Sequence, residues 1–346
     1  MLAAKLMEPG RLEVGRSPDP VCPEKGVLVR IKSCGLCSAD ARMVGSGHRA
    51  LSYPRIPGHE MTGVLEESRF DGLEPGLRVQ VAPGRRCGGC RFCLRGDDHQ
   101  CLHREVFGFS RDGGFAELIP VPLQGSLRGG IHALPDEVDF RVGTLAEPLA
   151  CCLNAQSKLG LSSSDRVLIM GCGIVGILHA LAAWKKGVAG LAVCDPLAER
   201  RRMAEACGVE QVLNPDRDEV RERVMDWTEG LGADVIILAS SEVMLDQDLF
   251  GLLARGGRVS VFSGGLPEDQ GLGIPLSAVH YLEAQLSGSY GCRSGDNRAA
   301  LEIIAARPNF FSGLIDSVIG LQKVDQGLKQ TRNRTSLKTV LEVRDG

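Results

Sequence analysis

With 346 residues, 43% of them hydrophobic, the chain is long for a single core and comfortable for two domains. A formal charge of -3 argues against general adhesion to nucleic acid or to an anionic membrane, and no apolar run reaches the roughly 18 to 20 uncharged residues of a membrane-spanning helix. The expected partner is a small molecule. The first residues carry Glu8 and Pro9 and no long apolar stretch, so they do not read as a secretory signal, and a cytoplasmic protein is expected. Thirteen cysteines, an odd number, suit metal-bound and free thiols better than a disulfide framework.

Taken in order, residues 1 to about 150 read as short strands and tight turns. Val27 to Lys32 alternates, Arg78 to Val81 is a β-prone run after Pro75-Gly76, and Glu117 to Val121 ends at Pro122. From about 151 the texture changes to buried strands alternating with helical segments: Val167 to Met170, Leu191 to Asp195, Asp234 to Ala239, Arg258 to Phe262 and Ala284 to Ser289. That alternation predicts an α/β unit with a doubly wound parallel sheet. The tail offers an amphipathic helix through Leu301, Ile304 and Ala305, a second near Val324 to Leu328, and a final strand at Thr339 to Val343. It is expected to return to the first domain.

Three stretches carry chemistry. The first is Gly171-Cys172-Gly173-Ile174-Val175-Gly176, which follows the apolar run Val167 to Met170 and precedes Ile177, Leu178 and Leu181 at helical spacing. A lone run of such glycines is weak, and its bland reading is an ordinary strand-helix turn. Here an acid, Asp195, closes the next strand about twenty residues on, which completes a dinucleotide fingerprint. Gly171 permits the turn, Gly173 admits a pyrophosphate to the backbone, and Gly176 lets helix and strand approach. Amides at the helix start, Ile174 and Val175 among them, face the phosphates. Asp195 is placed to accept both hydroxyls of an adenosine ribose and to repel a 2'-phosphate, which favours NAD over NADP. Arg200, Arg201 and Arg202 pull the other way.

The second stretch is Cys87-x2-Cys90-x2-Cys93-x7-Cys101, in Gly- and Arg-rich sequence with little apolar material. Four thiolates can close a tetrahedral shell around a structural zinc; disulfides are the competing reading. The third is dispersed: Cys37, then Gly58-His59-Glu60, then Glu147-Pro148. Each is unremarkable alone, but a thiolate, an imidazole and one or two carboxylates form a mixed shell that can keep an exchangeable position.

In this order the motifs resemble the zinc-dependent medium-chain dehydrogenase/reductase family over nearly the whole chain, and Glu147-Pro148 is similar to its sorbitol, threonine and sugar-alcohol branch. The resemblance implies a GroES-like catalytic domain from residues 1 to 150, with its zinc lobe at 87 to 101, and from 288 to 346. A Rossmann domain binding NAD would occupy 151 to 287. It implies two zinc ions per chain, one catalytic at Cys37, His59, Glu60 and Glu147 and one structural in the lobe. It places Arg200 near the adenosine, Asp40 as the acid that orients His59, and the protein in a homo-oligomer. A turn-forming Asp is the alternative for Asp40.

Two departures from the family touch the chemistry, while Leu77 and the lack of a glycine after Glu67 affect only turns. Ala39 replaces the usual Ser or Thr of the proton relay, and Arg42 replaces its usual His. Ser38, His48 or Glu147 acting with a water are the candidate substitutes. The segment between Cys37 and His59 lines the substrate pocket in relatives, and here it carries Arg42, His48, Arg49, Tyr53 and Arg55. A pocket for an anionic substrate is one reading, and solvent-facing charge is the favoured one. The expected reaction is oxidation of a secondary alcohol of a polyol, sugar derivative or hydroxy acid. Reduction of an activated double bond and a non-catalytic nucleotide-binding role are the alternatives.

Overall fold

The computed structural model describes residues 1–123, 130–243, 245–262 and 274–343. The chain folds as two compact units, one of Met1–Ala150 with Cys292–Gly346 and the other of Cys151–Gly291.

In the first unit the strand Gly26–Gly35 is the hub. It pairs antiparallel with Glu60–Ser68 along one edge, and its other edge is shared by Leu118–Pro122, opposite Gly26 to Arg30, and Thr339–Glu342, opposite Ser33 to Gly35. Arg78–Val81 and Ile131–Ala133 extend the sheet beyond Glu60–Ser68, and Ser317–Gly320 extends it beyond Thr339–Glu342. The core-facing side of this strand is apolar, and Val27, Val29 and Ile31 are all but inaccessible. Burying each such side chain contributes about 1.5–3 kcal/mol. Leu6, Phe115, Met61 and Leu341 complete this core.

The helix Ser38–Ser46 falls where the sequence reads as a loop. Its start is unusual: Cys37 is the N-cap, its sulfur accepting the Ala39 amide, and Asp40 reaches back to the Cys37 amide to close a capping box. Ala41, Met43 and Val44 turn into the core, and Gly47, at φ +79°, ends the helix.

The second unit is a six-stranded parallel sheet in the order Gln211–Leu213, Gly190–Cys194, Arg166–Met170, Ala233–Leu238, Leu253–Val261, Gln285–Gly288. Its strands run 3-2-1-4-5-6 in sequence order, the doubly wound arrangement of a Rossmann domain, with the switch point beside Arg166–Met170. The observed strands lie within a residue or two of the expected ones, except that Leu253–Val261 begins five residues before Arg258. The turn after Met170 needs its glycines. Gly171 has φ +103°, and a Cβ on Gly176 would lie 1.9 Å from the Gly171 carbonyl oxygen. Among the described residues no helix is long and apolar enough to cross a membrane.

Candidate metal centre and nucleotide-binding turn

The helix Ser38–Ser46 and the strand Glu60–Ser68 converge on one buried cluster in the first unit. Ligand atoms of Cys37, His59 and Glu60 all lie within 4.8 Å of one another. Asp40, fully buried, holds two of them: one carboxylate oxygen accepts the Cys37 amide at 3.1 Å and the other lies 3.1 Å from His59 Nδ1. With Nδ1 so occupied, Nε2 is the ring's free donor atom. Burial lowers the His59 pKa, but the charge and hydrogen bond of Asp40, then Cys37, reverse this and raise it well above the usual value. A pocket that draws a proton onto its imidazole is short of positive charge, and these donors fit a zinc ion that would supply it.

Glu60 has a partner that spacing did not disclose. Lys338, buried just before the strand Thr339–Glu342, donates from Nζ to Glu60 Oε2 and, at 3.1 Å, to the Leu36 carbonyl. Burial opposes its charge, yet Glu60, Cys37 and Glu147 raise its pKa above that of a free lysine. The carboxylate also fills space that a side chain at position 35 would need, since a Cβ on Gly35 would lie 1.9 Å from Glu60 Oε2. No local pattern marks Lys338 or Gly35, because the contact joins residues 278 apart.

Glu147 sits buried in the first turn of the helix Ala146–Lys158. It is not among the three donors grouped at Cys37, and its carboxylate instead lies within 4.8 Å of Cys292. Ser38 is exposed. His48 is exposed too, and its Nδ1 accepts the Ala50 amide at 3.2 Å, which leaves the proton on Nε2. The ring of Phe109 lies 5.4 Å from both His48 and His59, in contact with each. Sequence reasoning passed over Phe109, whose segment is tied down by Asp112: one oxygen of that acid accepts from Arg55 at 2.9 Å and from the Ile56 amide at 3.0 Å. Arg55 is thereby committed, while Arg42 and Arg49 face solvent.

Elsewhere in the same unit the four lobe cysteines bring their sulfurs within 4.8 Å of one another. Cys90 and Cys93 sulfurs are 3.6 Å apart, close to the roughly 3.8 Å edge of a tetrahedron with zinc–sulfur bonds of about 2.3 Å. Amides point at the sulfurs, Cys87 N to Cys101 and Cys90 N to Cys87, each at 3.3 Å. Backbone hydrogen bonds from Cys93 and Leu102 draw the Cys90 thiol down to about 6, whereas burial and neighbouring thiols push Cys93 up to about 12. Four thiolates this close cannot all ionise without a cation among them, so the donor set fits zinc. The lobe is tied to the helix Ser294–Ala305, where Asp98 accepts from the Ser294 hydroxyl and, at 3.2 Å, its amide, and Arg86 donates to that hydroxyl at 2.7 Å.

In the second unit Gly173 is the N-cap of the helix Ile174–Lys186, and Gly173, Ile174 and Val175 are only half-buried, so the helix start is open to a ligand. Asp195 is held from two sides: Oδ2 accepts the Cys172 amide at 2.7 Å and Oδ1 the Leu197 amide at 2.8 Å. Arg200 stands 3.8 Å from Oδ2. Arg201 instead donates to the Asp195 and Pro196 carbonyls, and Arg202 is exposed.

Residues 23–136 match the alcohol dehydrogenase GroES-like domain and residues 175–306 the zinc-binding dehydrogenase domain. The chain belongs to the zinc-type medium-chain dehydrogenase family, oxidoreductases that act on alcohols. It is 33% identical to the L-threonine 3-dehydrogenase of Pyrococcus horikoshii over 241 residues, 68% of this chain and 67% of that one. It is 27% identical to the sorbitol dehydrogenase of Halalkalibacterium halodurans over 341 residues, 96% of each. A Sinorhizobium meliloti 1021 structure, assigned as a zinc-binding dehydrogenase and bound to NADP, matches with TM-score 0.88 at 26% identity, covering 99% of this chain and 98% of that one.

Proposed function

We propose that the protein oxidises a secondary alcohol of a polyol, sugar derivative or hydroxy acid to the ketone, with NAD and with two zinc ions per chain. The observation that carries the reading is Asp40, which fixes the amide of Cys37 and the ring of His59 through its two oxygens. Such a carboxylate–histidine arrangement is what a metal-ligating imidazole requires. When bound, zinc supplies Lewis acidity at the substrate oxygen and the nicotinamide accepts hydride. Cys37 and His59 would hold the metal, and Glu147 lies near enough to influence the same charge cluster through Lys338. Phe109 adds an apolar contact to the His59 ring, with 5.4 Å between the ring centroids. With Ala39 and Arg42 at the usual relay positions, the hydroxyl proton would leave by Ser38, by His48 or by a water on Glu147. The exposed His48 is suited to release into solvent, and its ring and that of His59 both touch Phe109.

The doubly held Asp195 supports NAD, because its fixed charge meets a ribose 2'-phosphate unfavourably. Arg200 and the NADP-bound Sinorhizobium meliloti relative are the counterweights. A homo-oligomer is supported by the edge strand Gln285–Gly288, flanked by Tyr281 and Tyr290, 75% and 57% exposed. Among the described residues no cysteine is disulfide-bonded, which is consistent with a cytoplasmic setting.

Zinc per chain, measured on the purified protein and on Cys37→Ala, tests the reading. Two ions falling to one, with NAD-dependent turnover of polyols in the parent, is the expected result. One ion in both proteins would favour a non-catalytic role, and turnover confined to activated alkenes would favour the reductase.

A further inference from the structure

The buried pair of Lys338 and Glu60 is not explained by folding alone. A lysine and a glutamate taken out of water together rarely stabilise a core more than two apolar side chains of the same size. This pair is nonetheless built in with care. Lys338 Nζ reaches both Glu60 Oε2 and the Leu36 carbonyl, one residue before Cys37, and Gly35 leaves the space that the carboxylate occupies. Glu60 is itself one of three donors within 4.8 Å of one another. Among the described residues the lysine therefore grips a donor whose own partner is a cation, while the partner of His59 is an anion.

We propose that Lys338 is a positioning residue that restrains the Glu60 carboxylate from acting as a full metal ligand and serves as its countercharge when the metal is absent. The proposal rests on the reading of Cys37 and His59 as metal ligands. An ammonium so close to the donor cluster repels a divalent cation, and by holding Oε2 it pins the carboxylate and leaves only Oε1 to turn toward a metal. It thus trades metal affinity for a coordination position left open to substrate, which a catalytic zinc site needs and a structural one does not. The sign of the effect separates this role from plain structural support. Loss of a supporting lysine weakens metal binding, whereas loss of a restraining one tightens it.

The test uses the full chain stripped of metal and titrated with cobalt(II) against a chelator, with Cys37→Ala subtracted to isolate the signal of this site from that of the cysteine lobe. Lys338→Met is expected to bind cobalt at least tenfold more tightly. Its d–d absorption is expected to weaken as an extra oxygen enters the tetrahedral shell. Lys338→Arg should keep the parent spectrum, and in a Glu60→Gln background Lys338→Met should leave the spectrum unchanged, because no carboxylate remains to enter. A folded Lys338→Met protein with the parent spectrum, or with weaker binding, overturns the proposal. Should Lys338→Met fail to fold, the comparison passes to thermal midpoints of Glu60→Gln with and without Lys338→Met. Equal midpoints support the countercharge role, and a further loss overturns it. Identical cobalt signals from the parent and Cys37→Ala would instead remove the metal reading beneath the proposal.

Discussion

Asp40 Oδ1 lies 3.1 Å from His59 Nδ1, and both groups are buried. The acid also closes the capping box of the helix that begins after Cys37, so one residue sets the direction of two candidate metal donors and the start of the element between them. Asp40→Asn keeps the shape but loses the charge that holds the imidazole. It is expected to weaken zinc binding at Cys37 about 10- to 100-fold. Chelator competition with purified protein measures this effect, and unchanged affinity would assign Asp40 to turn formation only.

On the proposed reading, Asp195 is the residue expected to set the preference between NAD and NADP. Replacing it by Ala removes the repulsion toward a 2'-phosphate and frees Arg200, so the ratio of NADP to NAD binding should rise at least tenfold, or about 1.4 kcal/mol. The Cys172 amide loses its acceptor at the same time. Cofactor fluorescence titration reports both constants. A ratio that does not move would shift the burden of discrimination to Arg200.

Metal removal should act through the cysteine lobe. Without a cation the four sulfurs repel as they ionise, and the bonds from Asp98 and Arg86 to Ser294 are the connection through which the lobe's disorder would reach the helix Ser294–Ala305. Chelation or Cys90→Ser is expected to lower the thermal midpoint and to raise amide exchange in that helix as well as in residues 87–101. Exchange confined to the lobe would show the connection to be mechanically idle.

His179 makes the nucleotide-binding unit acid-sensitive. It is fully buried, its Nε2 has no hydrogen-bond partner among the described residues, and burial pushes its pKa down to about 3. The unfolded chain titrates near 6.5, so below that pH the unfolded state binds the proton that the folded state refuses. Stability present above about pH 6.5 is thus lost as pH falls toward 3, by up to about 1.4 kcal/mol per pH unit. Denaturation midpoints at pH 7 and pH 5 should diverge more for the parent than for His179→Leu. Equal slopes would mean that the ring is hydrated in solution.

The parts of the molecule that spacing discloses are those whose contacts are local. Gly171 to Gly176 and Cys87 to Cys101 bring their groups together within a turn or a short lobe, and the alternation from Val167 to Leu286 carries the parallel sheet. The helix Ser38–Ser46 was hidden because its cap is a cysteine, a residue that seldom starts helices, and because its apolar face is only three residues wide. Phe109 gave no sign, since an aromatic among glycines is ordinary and its two histidine neighbours are set by folding. Glu60 was legible as a candidate donor, but its lysine was not, because nothing in a sequence ties position 60 to position 338.

That separation also bears on how the chain is made. Glu60 and Lys338 close a loop of 278 residues, so throughout synthesis of the intervening chain the acid waits without its lysine. Within that stretch Asn154 donates to the Gly291 carbonyl at 2.8 Å, a bond that fastens the base of a 137-residue excursion. Once the inserted unit has folded, the gap to be closed is effectively halved, which recovers only about 0.6 kcal/mol of loop entropy. Its larger contribution is temporal: a nascent chain must finish the unit Cys151–Gly291 before it can neutralise Glu60, so the unit that holds Glu60 matures last although it is begun first.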